Sequence, residues 1–144
     1  MTDEEHYRKL ERMYMAAPCN DYYGTWIKIS KGGAEVGLEV RGDFFHSAGG
    51  VHGSVYFKLM DDAAFFACNS LVRDRLVLTV QFQVHLLRPV SGDDMRAVGV
   101  VVHNSAALMT GESRVIDGKG REVGRGSGTF MKSRIPLTAE MGYS

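Results

Sequence analysis

The spacing of hydrophobic positions changes several times along the chain, and each change predicts an element of structure. Residues 3–17 carry an apolar stripe at helical spacing, formed by Leu10, Met13 and Tyr14. Thr2 followed by Glu5 is the pattern of a capping box, so a helix is predicted to begin here. The pattern ends at Pro18, which predicts the end of the helix at about residue 17.

Alternating apolar and polar positions predict five or six strands. Residues 25–29 and 34–40 flank Lys31-Gly32-Gly33 and form a predicted hairpin. From Leu76 to Leu86 every second residue is apolar, which predicts a strand with one apolar face that ends before Arg88-Pro89. Further strands are predicted at about 95–103, 107–117 and 121–132, with a tight turn at 117–120.

Between these strands lies a segment, about 53–72, that is apolar for most of its length and contains several small residues. A helix that is apolar around nearly its whole circumference is a buried one. One central helix with antiparallel strands on both sides in sequence predicts an α+β fold in which a sheet wraps around the helix. The chain has no linker and no repeats, so a single domain over 1–144 is expected.

Two adjacent carboxylates, Asp61 and Asp62, interrupt the predicted buried helix. A carboxylate in such surroundings is costly unless it is paired, solvated or protonated. Neighbouring residues point ~100° apart on a helix, so at most one of the two is expected to face a substrate. That one would act as a base or nucleophile, and the other as a structural or solvent-facing partner. For two carboxylates alone, a purely structural role is equally compatible with the pattern.

A glycine-rich segment, residues 46–53, leads into this helix. Gly53 stands where the helix begins, and a helix N-terminus presents free N–H groups that suit a developing oxyanion. Asp61 lies eight residues farther on, a rise of ~12 Å, which is too far for both groups to reach one carbonyl in a single subunit. A two-fold pairing of chains could bring Asp61 of one to Gly53 of the other.

The segment His46-x-x-Gly49-x-x-His52-Gly53-Ser54-x-x-x-x-Leu59-x-Asp61-x-Ala63 resembles the motif of the phenylacetate-degradation (PaaI-like) hot-dog-fold acyl-CoA thioesterases. Their pattern is Asn-x-x-Gly-x-x-His-Gly-Gly-x-x-x-x-Leu-x-Asp-x-Ala. The strand that ends at Arg88-Pro89 also resembles the next strand of the family. The resemblance covers about residues 1–135 and implies the hot-dog fold, an antiparallel sheet wrapped around a long central helix.

The resemblance implies a role for each matching residue. Asp61 matches the catalytic carboxylate, Gly53 the amide that polarises the thioester carbonyl, and Thr79 the hydroxyl that helps to hold the water. His46 replaces the family Asn that orients the carbonyl or the water, and a neutral imidazole can still donate one hydrogen bond. By analogy with the family, Gly53 would come from the partner subunit.

Four further residues are predicted to contact the substrate. His52 matches the motif histidine beside the turn, and Ser54 replaces the second motif glycine. Gly49 lets the backbone approach a ligand closely, and Arg88 could meet the CoA phosphates. His85 is expected to make a hydrogen bond between subunits rather than to act in catalysis.

Composition narrows the class of partner. Seventeen basic residues balance seventeen acidic ones, so neither nucleic acid nor a membrane surface is an expected partner. No signal peptide or membrane span is visible, and Cys19 and Cys68 are predicted to be free thiols, which together indicate a cytoplasmic protein. The five histidines and two cysteines show no metal-binding spacing.

The sequence therefore predicts hydrolysis of an acyl-CoA thioester without a metal or redox cofactor, in a homo-oligomer expected to be a dimer of dimers. Two alternatives stay open. The substitution at His46 could leave an acyl-CoA binding module without turnover. A hot-dog dehydratase or hydratase would instead need a histidine and an acid opposed across the site, which His46 and Asp61 could supply.

Overall fold

A computed structural model describes all residues, 1–144, as three helices, six strands and two short 3-10 turns. In chain order the helices and strands are α1 (Asp3–Ala16), α2 (Pro18–Tyr23), β1 (Trp26–Ser30), β2 (Gly33–Glu39), α3 (Gly53–Asn69), β3 (Arg75–Leu86), β4 (Asp94–Asn104), β5 (Leu108–Asp117) and β6 (Glu122–Pro136). The 3-10 turns are Gly42–Phe44 and Ala139–Met141. No helix is long and apolar enough to span a membrane.

The six strands form one antiparallel sheet in the order β1-β2-β4-β5-β6-β3, and α3 packs against all six of them. This is the α+β hot-dog fold expected from the sequence. The order leaves β1 and β3 at the two edges, so one side of the twelve-residue strand β3 has no neighbouring strand within the chain. An open edge of this length is a template for pairing with another chain.

The capping box predicted at the start of α1 is present. The backbone N–H of Glu5 donates to Thr2 Oγ1 at 3.1 Å, and the Thr2 N–H donates to the Glu5 carboxylate at 2.6 Å. The predicted apolar stripe is buried at Leu10, Met13 and Tyr14. This burial fixes α1 against the rest of the fold and brings Tyr14 close to α3.

Helix α3 lies unusually close to the sheet because the sheet carries a glycine beneath it. A Cβ atom added at Gly99 would lie 2.4 Å from the carbonyl carbon of Ala63. Ala63, Ala64 and Ala67 are fully buried on this helix. The helix ends at Asn69, before the predicted end near residue 72, and the buried Asn69 side chain then bonds the backbone of the turn into β3.

The single apolar face predicted for β3 is wrong. Its pairing with β6 shifts register between Thr79 and Gln81, so Val80 is an extra, bulged residue. Before the bulge Val77 is fully buried while Leu78 is 36% exposed, and Val80 itself is 58% exposed. Because side chains alternate strictly along a strand, one extra residue exchanges the two faces. Thr79 therefore faces α3, which the alternating pattern did not predict.

Candidate active site

A cavity of about 340 Å³ lies between the two N-terminal helices, α3 and β3. Most of its lining is apolar, but a polar group of residues interrupts it on the α3 and β3 sides. The polar lining includes Lys58, Asp61, Asp62 and Thr79. Carboxylates gathered in a mostly apolar cavity are a common arrangement in sites that bind or transform small molecules.

Asp61 is held by the residue on β3 that faces it. The Thr79 hydroxyl donates to Asp61 Oδ1 at 2.8 Å. Burial raises the pKa of Asp61 to about 6, although the Thr79 hydrogen bond acts in the opposite direction. A carboxylate with a pKa near 6 is ionised at neutral pH and still basic enough to accept a proton from water during a reaction.

Asp62 lines the same cavity but is occupied by structural contacts. The Tyr14 hydroxyl donates to Asp62 Oδ2 at 2.7 Å, and the Lys58 ammonium group lies 2.8 Å from the same oxygen. Burial raises the pKa of Asp62, and the charge of Lys58 opposes this effect. Both carboxylates line this cavity, and the expectation that at most one of them faces a substrate stays a prediction. The expected structural partner role describes Asp62 well.

A second cavity of about 230 Å³ lies at the start of α3, and His46, Gly53 and Arg88 contribute to its lining. Gly53 is the first residue of the helix, and its amide makes no hydrogen bond within the chain. A rise of ~12 Å along α3 separates Gly53 from Asp61. Within one chain the predicted catalytic residues therefore form two groups, Asp61 with Thr79 and Gly53 with His46.

His46 is exposed and folds over its own turn. Its Nδ1 accepts a hydrogen bond from the Ala48 N–H at 3.1 Å, so in the neutral ring the proton is on Nε2. Gly49 takes a left-handed conformation with φ of +83° and donates its N–H to the His46 carbonyl. The structural part of Gly49 is thus to close this turn, while His46 Nε2–H is free to donate to a ligand.

His52 and Ser54 lie in a third depression, beside Tyr22 and Phe45. His52 is the N-cap of α3: its Nδ1 accepts from the Ser54 N–H at 3.0 Å and is 2.8 Å from the Ser54 hydroxyl. These contacts stabilise the helix start next to Gly53. Their predicted contact with a substrate stays a prediction.

Sequence reasoning missed three contributors to the main cavity. The sequence indicated Tyr14 only as part of the apolar stripe of α1, not as a partner of Asp62. Lys58 is four residues before Asp62, the spacing of a helical ion pair. Asn20 accepts from the Lys58 ammonium at 2.5 Å and donates to the Tyr14 carbonyl at 2.7 Å. Lys58 is 38 residues away from Asn20, so no local pattern could identify this contact.

Two other predictions concern cysteines and metals. Both cysteines are free thiols, as predicted; Cys19 is exposed and Cys68 is buried. No group of three or more His, Cys, Asp or Glu side chains is arranged to hold a metal ion.

Comparison with known proteins finds a match to one family model. Residues 48–124 match the family model described as the thioesterase superfamily. The match includes the start of α3, both carboxylates and the whole of β3. No protein with a curated description matches the chain.

Solved structures show the same fold. The PaaI protein of the phenylacetic acid degradation operon of E. coli aligns with a TM-score of 0.86 and 21% identity, over 96% of this chain and 100% of that one. A variant of PaaI from Thermus thermophilus aligns with a TM-score of 0.74 and 24% identity, over 81% of this chain and 100% of that one. A conserved protein of Pseudomonas aeruginosa aligns with a TM-score of 0.79 and 28% identity, over 85% of this chain and 98% of that one.

Proposed function

The chain belongs to the thioesterase superfamily, and from this membership we propose that it hydrolyses an acyl-CoA thioester to a free acid and CoA at a site shared by two subunits. The hydrogen bond between Thr79 and Asp61 in the apolar cavity is the observation that carries the proposal. It orients a carboxylate whose pKa of about 6 suits a general base at neutral pH.

In the proposed reaction Asp61 accepts a proton from a water molecule whose oxygen attacks the thioester carbonyl carbon. The carbonyl oxygen becomes an oxyanion, and the free amide of Gly53 at the start of α3 stabilises it. The carbon–sulfur bond then breaks, and the proton passes from Asp61 to the CoA sulfur. Water and the thioester are the reactants and the free acid and CoA are the products, so the proposed step balances without a further reactant.

A second copy of the chain supplies the Gly53 amide in this proposal. Two β3 edges paired antiparallel about a two-fold axis near Gln83 would set Thr79 of one chain opposite the end of β3 in the other. That end is close to the start of α3, since a Cβ added at Gly53 would lie 2.8 Å from Leu86 Cδ1. Pairing through this open edge would thus join the two groups that one chain keeps apart.

The remaining predicted residues take positions consistent with this arrangement. His46 and Arg88 share the cavity at the start of α3 with Gly53. We assign His46 Nε2–H to the substrate carbonyl or the water, and Arg88 to a CoA phosphate. His52, Ser54 and Gly49 would shape the helix start that the thioester approaches.

Mixing two inactive variants tests both the chemistry and the sharing of the site. Asp61→Asn removes the base. Gly53→Pro removes the amide donor; proline suits the first position of a helix, and its Cβ would require the end of the exposed Leu86 side chain to move. Each variant alone is expected to release CoA thiol at least ~10²-fold more slowly than wild type. Denatured together and refolded, they should recover roughly a quarter of wild-type activity, because half of the dimers are hybrids with one intact site.

Lack of recovery in the mixture, with both variants folded and dimeric by light scattering, would place the whole site within one chain. Full activity of Asp61→Asn would exclude the proposed base. Wild type refolded in the same way controls for losses during refolding, and each variant refolded alone gives the background rate.

One observation favours a second candidate, an acyl-CoA binding module without turnover. The His46 ring makes its only side-chain hydrogen bond within its own turn, and it stands where the related enzymes of the motif have Asn. The module predicts that acyl-CoA binds wild type and Asp61→Asn equally well, with no thiol release from either.

A further inference from the structure

The last eight residues, 137–144, pass from the end of β6 back across α1; they are termed the strap below. The strap is fastened at its far end. The buried Tyr143 hydroxyl lies 2.7 Å from Nδ1 of the fully buried His6, and Arg12 Nε donates to the Ser144 carbonyl. Gly142, with φ of +93°, packs so closely on α1 that an added Cβ would lie 3.1 Å from Met13 Cα.

The strap contributes one side chain, Met141, to the main cavity. Met141 is partly buried against the hydrophobic core. Because the neighbouring Gly142 packs on Met13, Met141 lies on the side of the cavity where Met13 does. The strap is therefore part of the cavity wall.

The cavity has a polar end and an apolar end. Along α3, Phe65 lies one turn beyond Asp61 in the direction away from Gly53, a rise of ~6 Å. Along β3, Leu76 lies three residues before Thr79, ~10 Å away. The larger apolar side chains of the lining, which are Met13, Phe65, Phe66, Leu76 and Met141, thus extend beyond the carboxylates. The remainder of the lining consists of Tyr14, Ala17, Asn20, the exposed Cys19 and the ion-paired Lys58.

If the proposed function holds, the polar and apolar ends of the cavity set the orientation of the bound acyl group. With the thioester carbonyl at Asp61, the charged CoA must leave towards solvent, and the apolar acyl tail gains most by entering the apolar end. The tail would then point at the strap.

We propose that the strap is the acyl-length determinant of this site and that Met141 is its specificity-determining residue. The strap, fastened to α1 through Tyr143 and His6, holds Met141 at the apolar end of the cavity. An acyl group that reaches Met141 fills the cavity, and a longer one must displace it. The preferred substrates are therefore apolar acyl groups of limited length.

Two substitutions of opposite size test the proposal. Met141→Ala removes three side-chain heavy atoms and should move the optimum chain length upward by about two carbons, with about a fourfold gain in kcat/KM per additional methylene buried. Met141→Phe fills the space and should move the optimum downward. Met15→Ala is the matched control, since Met15 is 50% exposed and does not line the cavity.

The substrates are straight-chain acyl-CoAs from acetyl to dodecanoyl, with benzoyl and phenylacetyl esters added. The same series is titrated by calorimetry against each Met141 variant in the Asp61→Asn background, so that binding is measured without turnover. Opposite shifts in the two variants, absent in Met15→Ala and absent for free CoA, would support the proposal.

Hydrolysis with an unchanged length profile in both Met141 variants would overturn the proposal and leave the proposed function intact. Binding that shifts with Met141 while no ester is hydrolysed would support it and refute hydrolysis. No binding of any acyl-CoA would overturn both. Shifts in the same direction in both variants would also overturn it, since they indicate general loosening of the strap.

Discussion

Thr79 on β3 and Asp61 on α3 are joined by a hydrogen bond of 2.8 Å, with the Thr79 hydroxyl as donor. The bond leaves the second carboxylate oxygen of Asp61 without a donor from within the chain. A base needs such an oxygen to accept a proton. The bulge at Val80 marks the point at which β3 changes the face it turns to α3.

Asp61→Asn keeps the shape and the acceptor for Thr79 but cannot take a proton from water. We expect kcat/KM for the best acyl-CoA to fall by at least ~10²-fold, the usual contribution of a general base. Thiol release measures the rate, and circular dichroism checks the fold. A loss of less than threefold in a correctly folded variant would show that another group is the base.

The same variant should be more stable than wild type at high pH. Burial raises the native pKa of Asp61 to about 6 from 3.8, so the native state binds more protons between these values. The stabilising contribution of the Asp61 proton is therefore fully present below pH 3.8 and is lost as the pH rises through 6. At pH 8 we expect Asp61→Asn to gain up to about 3 kcal/mol in free energy of unfolding. Urea titrations at pH 4 and pH 8 test this, with the gain absent at pH 4.

Activity should rise with pH as Asp61 loses its proton, with a midpoint near 6 in kcat/KM. The Thr79 hydrogen bond favours the ionised form, so Thr79→Val should move the midpoint upward. Initial rates from pH 5 to 8 give the profile. An unchanged midpoint would show that Asp61 does not control the acidic limb.

Asp62→Asn should move the same midpoint downward. The charge of Asp62 raises the pKa of Asp61, and that of Lys58 lowers it. Removing the Asp62 charge leaves Lys58 unpaired beside Asp61, so both effects favour the ionised base. The pair of variants is its own control: shifts in the same direction in Thr79→Val and Asp62→Asn would indicate a general disturbance of the cavity.

Much of the fold is predictable because its signals are local. The capping box at Thr2, the glycine turn at residues 31–33 and the apolar run of α3 each identify an element without knowledge of its neighbours. The antiparallel α+β arrangement then follows from the order of the elements.

The remaining features depend on contacts between distant residues. The bulge at Val80 is set by pairing with β6, and the alternating sequence of β3 gives no sign of it. Asp62 is paired through Tyr14, which lies 48 residues earlier, so its surroundings could not be read from the helix alone. Asp61 and Asp62 point ~100° apart on α3, yet both line the cavity, so their direction alone does not separate their roles.

The close approach of α3 to β4 depends on Gly99. A Cβ at this position would lie 2.4 Å from the carbonyl carbon of Ala63, and helix backbone cannot move aside without displacing its neighbours. Gly99→Ala should lower the free energy of unfolding by ~3 kcal/mol, as for severe overpacking. Gly92→Ala, where the added atom meets nothing within 4 Å, is the control. Equal urea midpoints for both variants would refute the packing argument.

The buried contact between His6 and Tyr143 should make stability fall at acid pH. His6 Nε2 lies 2.9 Å from the Asn69 carbonyl and Nδ1 lies 2.7 Å from the Tyr143 hydroxyl, so the neutral ring donates to the first and accepts from the second. Burial lowers the native pKa of His6 below its ordinary value. The unfolded state therefore binds more protons below about pH 6.5, and this stability is lost as the pH falls through that range.

His6→Gln should be less stable than wild type at pH 8 by ~1–3 kcal/mol, because Tyr143 loses a buried partner. The difference should shrink as the pH falls from 6.5 to 5, since only wild type must charge a buried ring. Asp61 and Asp62 titrate in both proteins, so their opposing contributions cancel in the comparison. Urea titrations at pH 5.0, 6.0, 7.0 and 8.0 measure the difference. A gap that stays constant across this range would show that His6 binds protons equally in the native and unfolded states, and would refute the lowered native pKa.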